Sequence, residues 1–169
     1  RFKAYEAVTA QTIEQHEISE PPCVHHWLQR LADKNGLSRL ANTVYLLHGT
    51  SSENLISICE DGLKTSFSLK AAHLMYGKGL YFTTKSCKAF QYGADGYIII
   101  SRVVLGRIQT LQCSCPDRFF PDAGFDSATA KKGYTLTGNG QAQVHDEYIV
   151  YNEAAVYPEF VLEVASSTA

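Results

Sequence analysis

No stretch of this sequence stays apolar for the roughly 18 to 20 residues that cross a bilayer, and no secretory leader opens it. A membrane partner is therefore not expected. Strong charge of either sign is lacking as well. The formal net charge is -2, which excludes a global basic field for nucleic acid and leaves only a local cluster of Arg102, Arg107, Arg118, Lys131 and Lys132 to consider. Internal repeats and low-complexity tracts are absent. The cysteines Cys23, Cys59, Cys87, Cys113 and Cys115 lack the spacing of roughly two to four intervening residues usual for structural zinc. Cys113-Ser114-Cys115, even joined by Cys23, His25 and His26, is a poor tetrahedral set, so no metal is expected. An odd cysteine count in a chain this long implies a reduced, intracellular setting. The opening at Arg1, without methionine, reads as excision from a longer protein.

What remains is ordinary globular composition, with 45% hydrophobic and 19% charged residues over 169 positions. That length carries one core and one domain. The first forty residues are mixed and polar. Glu20-Pro21-Pro22 is a break, after which Trp27, Leu28, Leu31 and Ala32 follow a helical period that stops near Lys34-Asn35-Gly36. Val44 to Leu47 predicts a strand. Thr50 and Glu53 fit a capping box, Leu55 to Cys59 continues the helix, and Gly62 closes it. Leu80-Tyr81-Phe82 predicts a short strand, then Thr83 or Thr84 caps a helix to Tyr92. Tyr97 to Val104 predicts a strong strand. Residues 112–143 read as mostly loop, and Glu147 to Tyr151 and Phe160 to Val164 as late strands. Helices early and strands late indicate an α+β class.

Singly, the polar residues at these element ends read as structural. His48 is a histidine at a strand end, Glu147 a strand carboxylate, Tyr81 and Tyr92 core or rim aromatics. Their order says more. His48-Gly49-Thr50, then Gly77-Lys78-Gly79-Leu80-Tyr81-Phe82, then Gln91-Tyr92, then Glu147-Tyr148-Ile149-Val150-Tyr151 resembles the catalytic domain of the poly(ADP-ribose) polymerase family. These are NAD-dependent ADP-ribosyltransferases of the diphtheria-toxin-like branch. Leu105-Gly106-Arg107, Gly124-Phe125-Asp126-Ser127 and Ala155 to Phe160 support the resemblance, which runs from about Tyr45 to Val164.

The resemblance implies two small antiparallel sheets split around an NAD-binding cleft, with flanking helices. Residues 1–43 become a helical extension packed on a catalytic domain of residues 44–169. It implies a catalytic His48, Tyr81 and Glu147. It also implies an NAD+ co-substrate held by His48, Gly49, Thr50, Tyr81, Lys88 and Tyr92, with Tyr81 and Tyr92 sandwiching the nicotinamide. The chemistry needs such groups independently. Breaking the nicotinamide–ribose bond develops positive charge on the ribose, which a carboxylate stabilises while orienting the nucleophile. A histidine on the sugar hydroxyls fixes the donor's pose. Gly49 lets backbone N–H and C=O approach a planar carboxamide without a Cβ.

One position departs from the pattern. Three residues before the second tyrosine the family usually carries a serine whose hydroxyl bonds the carboxamide, and here that residue is Ala89. Thr50 and Lys88 also have local readings, as a helix cap and a solvated helix lysine. The expected activity is transfer of ADP-ribose, singly or as polymer, to a protein acceptor, with a nucleic-acid end as the other acceptor. A monomeric domain is expected. A catalytically silent NAD- or ADP-ribose-binding module is the alternative. An NAD-dependent RNA 2′-phosphotransferase ranks below it, because no arginine stands near His48 to hold phosphate.

Overall fold

The computed structural model describes residues 1–13, 24–66, 74–93 and 96–163. The chain runs α1 (Phe2–Ile13), α2 (His26–Lys34), β1 (Thr43–Thr50), α3 (Ser52–Asp61), β2 (Leu80–Phe82), α4 (Ser86–Phe90), β3 (Tyr97–Val104), β4 (Ile108–Thr110), β5 (Ser127–Ala130), β6 (Glu147–Val150), a 3₁₀ turn (Glu153–Ala155) and β7 (Val156–Glu163). Two sheets result, one ordered β1-β3-β7 and the other β2-β6-β5-β4. The first is antiparallel throughout. The second is mainly antiparallel and adds a parallel β4–β5 pair at its edge. Among the described residues one bridge, Leu47 with Thr83, joins the sheets.

Strands β1 and β3 of the first sheet are buried on both faces, while the edge strand β7 is largely exposed. Leu46, Ile99 and Val103 pack with Ile58 of α3 and with Leu80 and Phe82 of β2. On the other face Tyr45, Leu47, Ile98 and Ile100 pack with Leu28 and Ala32 of α2 and Ala89 of α4. A third cluster under the second sheet gathers Tyr76, Leu111, Ala128, Ala130 and Ile149. His48 sits at the edge of the first cluster and Tyr81 at the edge of the third, so separate hydrophobic groups anchor the two residues.

Helix α1 lies in the expected helical extension, though the residue pattern there reads only as mixed and polar. Its pattern is hidden because Glu6 and Thr9 are buried while Val8 is exposed. Glu6 accepts a 2.7 Å hydrogen bond from the Thr43 hydroxyl, and Phe2 and Tyr5 pack on the core. Other expectations change. Thr50 caps nothing: it is the last residue of β1, and Ser51 is the N-cap of α3, with no side-chain cap bond. Helix α4 starts after Lys85 and stops at Phe90, short of Tyr92. Thr83 contributes by accepting from the Lys85 N–H at 3.2 Å. Strands β4 (Ile-Gln-Thr) and β5 (Ser-Ala-Thr-Ala) give no sequence signal because they lack the run of large apolar and aromatic residues that marks β2 and β6. Strand β7 starts before Pro158, not after it. It is an edge strand whose register shifts opposite Ser101, and a proline without an N–H is tolerated at such a place.

Arg102, Arg107 and Arg118 pair with Glu159, Asp126 and Asp122 in turn. Those three cations are neutralised locally, and the basic cluster considered from sequence does not form around them. Cys23 and Val164 lie outside the described residues, as does the Glu20-Pro21-Pro22 break.

Candidate active site

The site begins with the pairing that ends at Leu47. Leu47 exchanges both backbone hydrogen bonds with Thr83, at 2.9 and 3.0 Å. In an antiparallel strand, residues two apart turn N–H and C=O to the same edge. Gly49 therefore turns its pair to the edge that Leu47 uses, one step past the Thr83 bridge, where no further strand follows among the described residues. A donor and an acceptor stand side by side there, the complement of a planar carboxamide.

Gly49 is also glycine for a reason the sequence does not disclose. A Cβ at this position would lie 1.8 Å from the Ala89 carbonyl oxygen and 3.0 Å from the Gly93 nitrogen. Helix α4 rests directly on the glycine, so the residue serves close packing of backbone on backbone. Ala89 itself is buried among Leu47, Ile98 and Ile100.

His48 leaves β1 on the face of Leu46 and Thr50. Its Nδ1 lies 2.8 Å from the Tyr81 carbonyl oxygen. A carbonyl only accepts, so Nδ1 carries the hydrogen and the neutral ring presents Nε2 as an acceptor. Burial pushes the imidazole below its ordinary range, partly opposed by the Tyr81 backbone bond. The Phe82 ring packs against it at 5.7 Å between centroids. Beside it opens a cavity of about 110 Å³ lined by His48, Thr50, Asn54, Ser57, Lys64 and Leu80, among others. Sequence reasoning misses Asn54, Ser57 and Lys64. Asn54 and Ser57 lie on α3 and Lys64 just past its end, in a stretch that reads from sequence as an ordinary helix surface.

Tyr81 and Glu147 share a face of the second sheet. Tyr81 stands opposite Ile149, and Glu147 lies two residues before Ile149, so the side chains of both point the same way. The Tyr81 phenol donates to the Gly77 carbonyl and accepts from the Tyr76 N–H, both at 2.9 Å. Burial raises it well above the usual tyrosine range, with the Glu147 charge adding to that rise. Those bonds fix the ring by its hydroxyl and leave its face as the useful surface.

Glu147 is buried. Lys88 reaches it across the gap from α4, Nζ to Oε1 at 2.8 Å, with side-chain exposures of 13% and 5%. The same ammonium donates to the Tyr92 hydroxyl at 3.3 Å and sits 5.0 Å from the centre of that ring. Burial works against the charge on Lys88, but the hydrogen bond and charge of Glu147, with Tyr92, outweigh it and hold the amine above its ordinary range. The solvated-helix reading of Lys88 is thereby overturned. Tyr92 remains largely exposed, at 63%.

The structure thus joins His48 to Tyr81 through a backbone carbonyl, Tyr81 to Glu147 by a shared sheet face, and Glu147 to Tyr92 through Lys88. Among the described residues no hydrogen bond joins the His48 imidazole to the Glu147 carboxylate. A much larger groove of about 990 Å³ runs between α1, the end of α3 and β7; it shares Ile58, Leu63 and Lys64 with the small cavity but is lined by none of His48, Tyr81, Lys88, Tyr92 and Glu147.

Comparison with known proteins identifies the family. The family described as poly(ADP-ribose) polymerase catalytic domain matches residues 5–132. His48, Tyr81, Lys88 and Tyr92 fall inside that match and Glu147 beyond it. The chain is 28% identical over 162 residues to human "Protein mono-ADP-ribosyltransferase PARP3", covering 75% of this chain and 30% of that protein. It is 28% identical over 156 residues to "Poly [ADP-ribose] polymerase 1" of Arabidopsis thaliana, covering 75% and 16%. The mouse PARP3 protein is 24% identical over 161 residues, covering 75% and 30%. The chain spans less than a third of the length of these relatives. On the family match and the fold together, this chain belongs to the poly(ADP-ribose) polymerase catalytic-domain family.

Proposed function

We propose that this domain cleaves the nicotinamide–ribose bond of NAD+ and transfers ADP-ribose to a macromolecular acceptor, a protein in the first instance. The observation that carries the reading is the buried Glu147–Lys88 pair at 2.8 Å, on the sheet face that Tyr81 also occupies. Desolvating two charges is expensive, and a replacement by apolar residues of similar volume is often as stable. A fold that keeps such a pair beside two tyrosines has a use for the carboxylate.

Each residue then has a role. The Gly49 N–H and C=O hold the carboxamide of nicotinamide, and the faces of Tyr81 and Tyr92 receive its ring. The His48 Nε2 accepts from a ribose hydroxyl, and Thr50 lines the same cavity. Glu147 stabilises the positive charge that grows at the anomeric carbon. The carbon–nitrogen bond breaks with its electron pair leaving on nicotinamide. The acceptor's nucleophilic atom bonds to that carbon, and its proton passes to the carboxylate or to water. Lys88 holds the carboxylate in place from α4. NAD+ is consumed, and the mono- or poly-transfer outcome depends on the acceptor side.

The test is nicotinamide release and label transfer from NAD+ labelled in its adenylate half, for the wild type and Glu147→Gln. Both signals fall by about a hundredfold or more in the variant, as loss of a general acid–base group does. Equal turnover in the two forms removes Glu147 from the mechanism. The second reading, a silent NAD- or ADP-ribose-binding module, has Ala89 in its favour. Binding measured by calorimetry with no nicotinamide released from the wild type supports that module and ends the transferase reading.

A further inference from the structure

Tyr76 is a residue for which the reaction above has no use, yet three segments meet on it. It is fully buried. Its N–H donates to the Tyr81 hydroxyl at 2.9 Å, and its C=O accepts from the Tyr151 hydroxyl at 2.7 Å. Its own phenol donates to the Gln143 side-chain oxygen at 3.2 Å. Burial pushes that phenol up to about 12, so it stays protonated and remains a donor at neutral pH.

Gln143 is buried too, and it organises the chain that leads into Glu147. Its N–H donates to the Thr135 carbonyl and its C=O accepts from the Gly133 N–H, both at 2.8 Å. Three residues later the Asp146 carbonyl accepts from the Thr83 hydroxyl at 3.0 Å, and Glu147 begins β6. On the donor side, Gly77 sits so close to Arg118 that a Cβ would lie 2.4 Å from the Arg118 carbonyl. Tyr76 therefore stands between a tightly packed loop that holds Tyr81 and a second loop, residues 131–146, that delivers Glu147.

We infer that Tyr76 is a positioning residue whose hydroxyl, through Gln143, sets loop 131–146 on the acceptor side of the Glu147 carboxylate, so that an acceptor rather than water attacks the ribose. The inference rests on the transferase reading. Its physical basis is the direction of the bonds. The backbone of Tyr76 serves the donor ring at Tyr81, while its side chain serves the other loop. Removing the hydroxyl loosens the second without touching the first.

Two measurements test this, and the first needs no turnover. In Tyr76→Phe, amide exchange at Gly133 and Gln143 accelerates about tenfold while exchange at the Tyr76 amide, held by Tyr81, is unchanged. In the second, labelled NAD+ is followed to free ADP-ribose and to protein-bound ADP-ribose. The free fraction rises about threefold in Tyr76→Phe with KM for NAD+ unchanged, a split that general destabilisation does not produce. Gln143→Ala gives the same change, and the double variant adds nothing further. Unchanged exchange overturns the link between Tyr76 and the loop. Accelerated exchange with an unchanged free-to-bound ratio overturns the positioning role. Accelerated exchange in a protein whose wild type releases no nicotinamide overturns the transferase reading, and the acceptor role with it, while the link itself stands.

Discussion

The Lys88 ammonium lies 2.8 Å from the Glu147 carboxylate, and the two residues come from elements that touch different sheets. Helix α4 packs on β1 and β3 of the first sheet, whereas Glu147 starts β6 of the second. The pair therefore ties the sheets together at the candidate site, near where the Leu47–Thr83 bridge ends. Replacing Lys88 by Met leaves a buried carboxylate without its cation, and the loss of one partner of a buried pair typically destabilises by about 3–5 kcal/mol. Denaturant unfolding of Lys88→Met reads that loss directly. Lys88→Arg keeps the charge and recovers most of it. If Lys88→Met unfolds at the wild-type midpoint, the pair does not hold the site together.

Gly49→Ala is the sharpest packing test. The added Cβ would lie 1.8 Å from the Ala89 carbonyl oxygen. The obstacle is backbone, so shortening the neighbour in Ala89→Gly does not relieve it. Overpacking of this kind costs about 1–3 kcal/mol and sometimes more, and the double variant should be no more stable than Gly49→Ala alone. Recovery in the double variant would show that the Ala89 methyl, rather than its carbonyl, sets the spacing.

His48 makes stability depend on pH with a definite sign. Burial lowers its folded pKa below the unfolded reference of 6.5. Between the lowered value and 6.5 the unfolded chain binds the extra proton, so stability rises with pH through that window. The full contribution is present above 6.5 and is lost as the pH falls toward the folded value. His48→Gln removes this dependence. Urea unfolding at several pH values across the window should show a steeper acid loss for the wild type than for the variant. Parallel curves would mean that the imidazole titrates alike in both states.

Ala89→Ser restores the hydroxyl that the family usually carries at this place. In the free protein it enters an apolar cluster with Leu47, Ile98 and Ile100, so a buried hydroxyl without a partner costs about 1–3 kcal/mol and the melting temperature drops. A nicotinamide-like carboxamide supplies the partner, and its hydrogen bond contributes roughly 0.5–1.5 kcal/mol. Calorimetry should therefore show tighter binding in a less stable protein. Unchanged affinity would place the introduced hydroxyl out of reach of the ligand.

Strand β3 was legible to the residue, because Ile98 to Ile100 with Val103 and Val104 favour a strand strongly enough to carry Ser101 and Arg102 between them, and Gly62 marked the end of α3 for a similarly local reason. Helix α1, expected only from the resemblance, was not legible in its own residues, since its buried Glu6 answers to Thr43, far along the chain. Strands β4 and β5 escaped because Gln109, Ser127 and Thr129 break the apolar and aromatic run that marked the equally short β2 and β6.

The order of His48, Tyr81, Tyr92 and Glu147 was written in the chain by itself, and so was the α+β class, because strand and helix periods and turn residues are local properties. Only the tertiary structure decided that Lys88 grips Glu147, that Gly49 lies under Ala89, and that Tyr76 joins two loops. Those relations link residues 40 to 67 positions apart. They arise from close packing and from the need of each buried polar group for a partner, which no single segment can supply.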